Sequence, residues 1–164
     1  MRLVPYTAEH VASLQSWLDD PDVVAFTPVP EPVPADHAAG WLTRFPDGGA
    51  WAILDEDEVV GFACAPALDR VRGEAELGYQ VAPSARGRGV ATFALTELTA
   101  WAFAEGMHRI ALHINDDNLA SKSVARRCGY VLEGTLRSSY LKPGRRVDTE
   151  IWSRLVSDPK ALES

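Results

Sequence analysis

The chain has 164 residues, of which 46% are hydrophobic, and a formal net charge of −7, as is typical of one folded domain with its own core. The acidic balance argues against nucleic acid or a membrane surface as a partner, because both favour a basic face. No apolar run approaches the roughly 18 residues of a membrane helix, and residues 1–5 lack a signal-peptide segment, so we expect a cytoplasmic location. The two cysteines and four histidines have no metal-ligand spacing, and we expect no metal.

Hydrophobic periodicity predicts one strand, two helices and two further strands in the first half of the chain. Thr7 is a suitable N-cap for the first helix, which we expect to end at residues 19–22. The prolines from Pro28 to Pro34 predict a restrained, extended loop over 23–33, because each one fixes its φ angle and restricts the residue before it. The predicted elements are strands at 1–6, 50–54 and 59–68, helices at 8–18 and 34–44, and turns at 47–49 and 55–58.

The second half of the chain alternates strands with helices. The predicted elements are strands at 74–81, 109–114, 130–137 and 147–155, helices at 89–105 and 118–127, and turns at 69–73 and 142–144. This order predicts an α/β (α+β) fold in which four helices flank a twisted, mostly antiparallel mixed sheet of about seven strands. We expect one domain over residues 1–156 and a short C-terminal tail over 157–164.

A turn rich in glycine and arginine, RGRGVA at 86–91, leads from the strand at 74–81 into the next helix. Glycines allow the backbone to approach an anion closely, because they have no Cβ. The start of a helix presents backbone N–H groups and the positive end of the helix dipole. Arg86 and Arg88 add two positive charges. The pattern therefore predicts a phosphate or pyrophosphate site.

Other interpretations of this turn stay open at this point. A Walker phosphate loop requires Gly-Lys-Ser/Thr, and Gly89-Val90-Ala91 does not match it. A dinucleotide-binding fingerprint requires a glycine where this chain has Thr92, although Asp116 follows the next predicted strand. A glycine-rich turn before an ordinary surface helix is the simplest alternative.

The wider sequence resembles one family. Arg86-x-x-Gly89-x-Ala91 is similar to the Arg/Gln-x-x-Gly-x-Gly/Ala signature of the GNAT acetyltransferases. Asn115-x-x-Asn118-x-x-Ser121 and CGYVLEG at 128–134 resemble the next segment of the RimJ/RimL-like branch, which acetylates N-terminal α-amines of ribosomal proteins and has many small-molecule relatives. The resemblance covers about residues 1–155. It implies the GNAT fold, with a sheet splayed between its fourth and fifth strands, and dimers are common among such relatives.

The resemblance also implies acetyl-CoA as co-substrate and a primary amine, either a peptide N-terminus or a small molecule, as acceptor. The residues that it assigns to acetyl-CoA are Val81, Arg86, Gly87, Arg88, Gly89, Val90, Ala91, Thr92, Asn115 and Asn118. For Asn118, a role as the N-cap of the following helix is an equal alternative.

The implied reaction is direct attack of a neutral amine on the thioester. Glu76, on the face of the fourth strand opposite Leu77 and Tyr79, is the candidate base, and acceptor binding or orientation and a structural role are its alternatives. The tyrosine that many GNAT enzymes use as the acid falls at Ala125 here and is absent. Ser121 matches the serine proposed for this step in the RimL-like branch, with a first-turn helix hydroxyl bonded to backbone as the alternative. Tyr140, in the loop after the sixth strand, is a second candidate. The missing tyrosine keeps open a non-catalytic acyl-CoA-binding sensor on the same fold.

The acceptor pocket is expected around residues 23–41. The residues proposed to line it are Phe26, Glu31, Asp36 and Trp51, with Tyr140 as a further wall. His113, on the fifth strand, has neighbours that point the other way. It either faces the same cleft or is an ordinary packed or solvated histidine.

Overall fold

The computed structural model describes residues 1–45, 49–142 and 144–159. Its seven strands form one sheet in the order β1-β2-β3-β4-β5-β7-β6. The strands are β1 (Arg2–Pro5), β2 (Ala50–Asp55), β3 (Glu58–Asp69), β4 (Glu74–Val81), β5 (Arg109–Asn115), β6 (Val131–Lys142) and β7 (Arg145–Leu155). The pairs β1–β2, β2–β3, β5–β7 and β6–β7 are antiparallel. β4 and β5 run parallel, with Glu74 beside Arg109 and Glu76 beside Ala111.

Five α-helices accompany the sheet in the described ranges. They are α1 (Val11–Gln15), α2 (Pro21–Phe26), α3 (His37–Arg44), α4 (Val90–Ala104) and α5 (Leu119–Arg127), with short 3-10 turns at Ala8–His10 and Pro83–Ala85. These helices and the seven-stranded sheet confirm the predicted mixed α/β architecture.

Within the described part of the chain, no helix combines the length and the apolar character needed to cross a bilayer.

The contacts group the chain into two compact units. The first unit comprises Met1–Ala65 and Gly78–Ala94, and the second comprises Pro66–Leu77 and the described residues from Leu95 onward. The single-domain boundary at residue 156 stays a prediction, and residues 160–164 of the predicted tail lie outside the described part.

The core of the first unit packs the early helices against the first strands. Trp41 of α3 stacks on Phe62 of β3 with 4.5 Å between ring centroids. Tyr6 meets the same phenylalanine edge-on at 5.2 Å and donates its hydroxyl to the carbonyl of Ala38 at 2.9 Å. Burial raises the pKa of the Tyr6 phenol to about 12. The other buried members of this cluster are Leu14, Leu18, Val23, Val29 and Ala50.

The second unit contains a hydrogen-bonded polar pair inside an apolar core. Thr99 of α4 and Tyr130 share a hydrogen bond of 2.7 Å, and both side chains are buried. On the sheet, Arg109 donates twice to the Glu133 carboxylate at 2.6 Å, and Ser153 donates to it as well. The hydrogen bonds from Arg109 and then Ser153 lower the pKa of Glu133 to about 2. These contacts fix β5, β6 and β7 side by side.

The first half of the chain differs from the sequence prediction at α2. Residues 21–26 form a helix where a helix end and an extended loop were predicted. Asp20 is its N-cap, with Oδ1 accepting from the amides of Asp22 and Val23, and Pro21 is its first residue. Asp-Pro is a common helix start, but here only a short turn at 16–19 separates it from α1, and the sequence analysis assigned residues 19–22 to the end of the first helix. The prediction of four helices is therefore wrong by one.

Other boundaries also move. α1 ends at Gln15 rather than Leu18, and α3 begins at His37 rather than Pro34. β6 continues to Lys142, so Tyr140 lies within this strand and not in a loop after it. Residues 47, 48 and 143 of the predicted turns lie outside the described part of the chain.

Replacing Gly61 by alanine is expected to destabilise the protein by about 1–3 kcal/mol. A Cβ at this position on β3 would lie 2.5 Å from the carbonyl oxygen of Gln80 and 2.8 Å from Ile53 Cδ1, so backbone would have to move. Gly40 on α3 is the matched control, because a Cβ there meets no described heavy atom within 4 Å and alanine favours a helix. Chemical denaturation of both variants measures the free energy of unfolding. Equal values for the two variants would show that β3 and its neighbours accommodate a Cβ at residue 61 without loss of stability.

Candidate active site

The turn between β4 and α4 has the backbone that its glycines predict. Gly87 and Gly89 have φ angles of 74° and 81°, in the left-handed region that favours glycine. A Cβ built on either one meets no described heavy atom within 4 Å, so conformation rather than crowding requires glycine here. α4 begins at Val90, and the amide of Phe93 donates to the carbonyl of Gly89 at 2.9 Å. The amides before Phe93 therefore lie in the first helical turn, where the helix offers no acceptors and its dipole is positive.

Carboxylates hold both arginines of this turn. Arg86 contacts Asp20 and donates from Nη1 to Asp22 Oδ2 at 3.0 Å. Arg88 contacts Asp55 at the end of β2. An anion bound at this turn would therefore compete with three carboxylates for the two guanidinium groups, which the sequence pattern did not indicate.

Asp20 links the turn to α2, because it contacts Arg86 and also caps the helix. Burial alone would raise the pKa of the Asp20 carboxyl, but hydrogen bonds from Arg86 and from the amides of Val23 and Asp22 outweigh it and lower the pKa. The stability that this carboxylate contributes is thus present above the ordinary aspartate pKa of about 4. It is lost as the pH falls through the lower value of the folded protein.

The end of β5 carries a buried amide without a partner. Asn115 is buried, and its Nδ2 has no hydrogen-bond acceptor among the described residues. An unsatisfied buried donor costs about 1–3 kcal/mol, so this group is suited to a ligand. Asn118 instead caps α5, with Oδ1 accepting from the amide of Ser121 at 3.0 Å. The helix-cap alternative for Asn118 is thereby supported, and a ligand contact stays a prediction.

The two predicted proton donors occupy different surroundings. Ser121 lies in the first turn of α5 and is half-buried. Tyr140 pairs with Val147 next to an irregularity in β6, where Ser138 has a φ of 54° and its amide donates to Asp148 at 2.7 Å. Burial raises the pKa of the Tyr140 phenol, so the phenol keeps its proton at neutral pH.

Residue 125 faces the core; the sequence comparison places the tyrosine of many GNAT enzymes at this position. Ala125 is fully buried in α5. A phenol at this position would have to displace packed side chains. The helix in this chain therefore presents no tyrosine at the predicted place, and the two other donors remain the candidates.

Glu76 lies beside a histidine that the sequence analysis did not pair with it. Glu76 Oε1 is 3.6 Å from Nδ1 of His113, and the two side chains are 33% and 47% exposed. Glu76 alternates with the buried Ala75 and Leu77 on β4, so it points away from the core. The parallel register that sets Glu76 beside Ala111 brings His113, two residues further along β5, onto the same face.

The four residues predicted for the acceptor pocket lie on four segments of the first unit. Phe26 ends α2, Glu31 lies in the following loop, Asp36 precedes α3, and Trp51 lies on β2. Glu31 and Asp36 are exposed, whereas the two aromatic residues are half-buried. Their role in acceptor binding stays a prediction. Among the described residues, no group of three or more His, Cys, Asp or Glu side chains is arranged to hold a metal ion.

The family model of the GNAT acetyltransferase domain matches residues 1–131. The chain therefore belongs to the GNAT acetyltransferase family, and the predicted family is confirmed. The ribosomal-protein-serine acetyltransferase of Escherichia coli (strain K12) is 29% identical over 121 residues, which cover 73% of this chain and 64% of that protein. The matched stretch is thus less than two thirds of that relative.

Solved structures confirm the fold. The RimL ribosomal L7/L12 α-N-protein acetyltransferase in complex with coenzyme A has a TM-score of 0.83 and 23% identity, covering 94% of this chain and 93% of its own. The microcin C7 self-immunity acetyltransferase MccE, in complex with acetyl-CoA and AMP, has a TM-score of 0.84 and 20% identity, covering 94% and 91%.

Proposed function

We propose that this protein is an acetyl-CoA-dependent N-acetyltransferase that transfers an acetyl group to a primary amine by direct attack in a ternary complex. The observation that carries the proposal is the left-handed Gly87 and Gly89 turn at the start of α4, in a chain of the GNAT acetyltransferase family. Such a turn offers backbone amides and a positive helix end to a pyrophosphate. The names of the relatives support the same reaction class.

Each unit has a feature that suits a part of the co-substrate. In the first unit, the amides of residues 87–92 suit a pyrophosphate. In the second unit, the unsatisfied Nδ2 of Asn115 suits a carbonyl group. When bound, acetyl-CoA supplies the activated acetyl group. The residues proposed to contact it are Val81, Arg86, Gly87, Arg88, Gly89, Val90, Ala91, Thr92, Asn115 and Asn118.

The proposed task of the protein is to position the amine and remove its proton. At neutral pH, deprotonation costs about 1 kcal/mol for a peptide α-amine and about 4–5 kcal/mol for lysine. Glu76 and the groups beside it form the proposed site of proton removal, and Ser121 or Tyr140 the proposed source of a proton for the leaving thiolate. This limited set of groups favours acceptors of low pKa, either a protein N-terminus or a small-molecule amine. A cytoplasmic location, a homodimer and the absence of nucleic-acid binding stay predictions.

Thermal shift and turnover test the proposed function. We expect acetyl-CoA to raise the melting temperature and NAD to leave it unchanged, because the turn lacks the third glycine of a dinucleotide site. Thiol release with a library of peptides, polyamines and other amines then separates an enzyme from a non-catalytic sensor. Stabilisation by NAD alone, or the absence of thiol release with every amine, would contradict the proposal.

Replacing Ser121 by alanine is expected to lower kcat about 10- to 100-fold, with little change in acetyl-CoA affinity, if its hydroxyl protonates the thiolate. The backbone amide of residue 121, which donates a hydrogen bond to Oδ1 of Asn118, is retained in this variant, so the cap of α5 stays intact. Ser123→Ala, on the same helix, is the matched control. Steady-state kinetics with acetyl-CoA titrations measure both effects, and an unchanged kcat would leave Ser121 with its role at the helix start.

A further inference from the structure

The face of the sheet around β4 and β5 carries a carboxylate and an imidazole side by side. Nδ1 of His113 is 3.6 Å from Oε1 of Glu76, and each side chain keeps a third to a half of its surface in solvent. Both residues belong to the second unit and to neighbouring parallel strands. The pair is therefore positioned by backbone register and is accessible to a solute.

The orientation of the imidazole distinguishes the two members of the pair. Nδ1 faces the carboxylate, so Nε2, on the far side of the ring, is the nitrogen left for another partner. A carboxylate beside one ring nitrogen favours a proton there, and the other nitrogen is then an acceptor. The geometry thus makes His113 the accepting group and Glu76 the group that orients it.

Proton affinity points the same way. Imidazoles as a class have a reference pKa of about 6.5, and glutamate carboxyls one of about 4.3. A peptide α-amine, at about 7.7–8.0, is far closer to the imidazole. Proton transfer is most efficient when the base is matched to the working pH, so an imidazole suits this acceptor better than a half-exposed carboxylate.

The other ionisable groups on this face are engaged or lie on other strands. Arg109, on the same face of β5, holds Glu133 of β6, and Glu74 of β4 pairs with Arg72. Across from His113 on β7 lies Ile151, which is uncharged. By the register of β6 and β7, Tyr140, Lys142 and Arg145 also belong to this face, and the last two pair with Asp117. Among the described residues, Glu76 is the charged partner that the structure gives to His113.

We propose that His113 is the catalytic base and that Glu76 is a positioning residue that holds its ring. This inference rests on the proposed acetyltransferase function and names the group that takes the proton. As the nitrogen of the amine bonds to the acetyl carbon, Nε2 of His113 takes the proton from that nitrogen. The carbon–sulphur bond breaks, and the thiolate takes one proton from Ser121 or Tyr140, so that an amide and a free thiol are the products. The imidazolium then releases its proton to solvent and the donor regains one from solvent, so that no net proton is gained or lost.

A measurement without any substrate tests the pair itself. Imidazole ¹⁵N chemical shifts, recorded at a pH at which the ring is neutral, report which ring nitrogen carries the proton. We expect His113 of the wild type to be protonated on Nδ1, and Glu76→Ala to shift the proton towards Nε2, because a negative charge 3.6 Å from Nδ1 favours a proton on that nitrogen. His108, which is exposed in the same unit, serves as the internal reference. An unchanged tautomer in Glu76→Ala would overturn the positioning role.

Kinetics on the best α-amine acceptor test the catalytic role. We expect His113→Gln to lower kcat on the order of 100-fold with KM nearly unchanged, at the lower end for a general base. We expect Glu76→Ala to lower it less, and the double variant to match His113→Gln because the two residues act as one unit. His108→Gln should retain wild-type activity.

Several outcomes would overturn the inference. Near-normal kcat in His113→Gln with a severe defect in Glu76→Ala would make the carboxylate itself the base. A rise in KM alone would assign the pair to acceptor binding. Wild-type protein without turnover on any amine would refute the proposed function together with this inference, whereas active wild type with active His113→Gln would refute this inference only.

Discussion

Acetyl-CoA binding is expected to be lost in Gly89→Glu, with an affinity at least 100-fold below that of the wild type. Gly89 has a φ of 81° and lies at the first turn of α4, so the new carboxylate would stand where the positive helix end meets a pyrophosphate. The carboxylate would offset the positive potential of the helix end, and its negative charge would repel the phosphates, so both effects oppose binding. Isothermal titration calorimetry with acetyl-CoA measures the effect, and circular dichroism checks the fold.

Two control variants separate charge from backbone strain. Gly89→Ala keeps the strain of a non-glycine residue in the left-handed region, on the order of 1 kcal/mol, but adds no charge. Gly40→Glu adds the same charge on α3, where a Cβ meets no described heavy atom within 4 Å. We expect the first control to bind more weakly than wild type but measurably, and the second to bind normally. Wild-type affinity in Gly89→Glu would place the phosphate site elsewhere.

The ion pairs of the turn add a further physical constraint. Arg86 joins Asp20, the N-cap of α2, and Asp22 of the same helix to the turn. A bound pyrophosphate would draw the guanidinium away from these carboxylates, because phosphate oxygens also accept its paired donors. The gain in affinity from Arg86 is therefore the difference between two ion pairs, and it is smaller than that of an unpaired arginine.

Local signals in the sequence predicted the elements that depend on neighbouring residues. The glycine turn at 86–91, the start of α4 and the Asn118 cap of α5 all depend on residues within a few positions of each other. The strands β2 to β5 have the predicted alternation and nearly the predicted bounds. α2 was missed because α1 ends earlier than predicted, so residues 19–22 were assigned to its end, and the prolines after α2 favour an extended chain.

Long-range pairing was not predictable from local pattern. Arg88 and Asp55 are far apart in sequence, and nothing at either position indicates the other. Strand register set Glu76 beside His113, although alternation alone had not paired them and left open whether His113 is packed, solvated or in the cleft. The irregularity of β6 at Ser138 lets the strand run past Tyr140, whereas the sequence predicts its end at residue 137. Each of these features depends on a tertiary contact.

A peptide α-amine is expected to exceed a lysine side chain as acceptor by a factor on the order of 100 in kcat/KM at pH 7. The reference pKa values, about 7.7–8.0 and about 10.4, leave several hundred times more neutral α-amine at that pH. The protein's candidate groups for proton removal are a carboxylate that is 33% exposed and an imidazole, and carboxylates and imidazoles as classes are much weaker bases than a lysine amine. Neither group can therefore offset the lower neutral fraction of lysine.

The pH dependence of the two acceptors separates this explanation from selectivity by binding. With a peptide N-terminal lysine whose α-amine is blocked, kcat/KM should rise about tenfold per pH unit from pH 6 to 9, because the neutral fraction rises by that factor below the amine pKa. With the same residue at the N-terminus of the same short peptide, its α-amine free and its side chain blocked, the rise should level off near pH 8. The two acceptors differ only in which of their amines is unblocked. Parallel profiles, or a preference for lysine at pH 7, would show that the pocket selects the acceptor by contacts and not by its proton affinity.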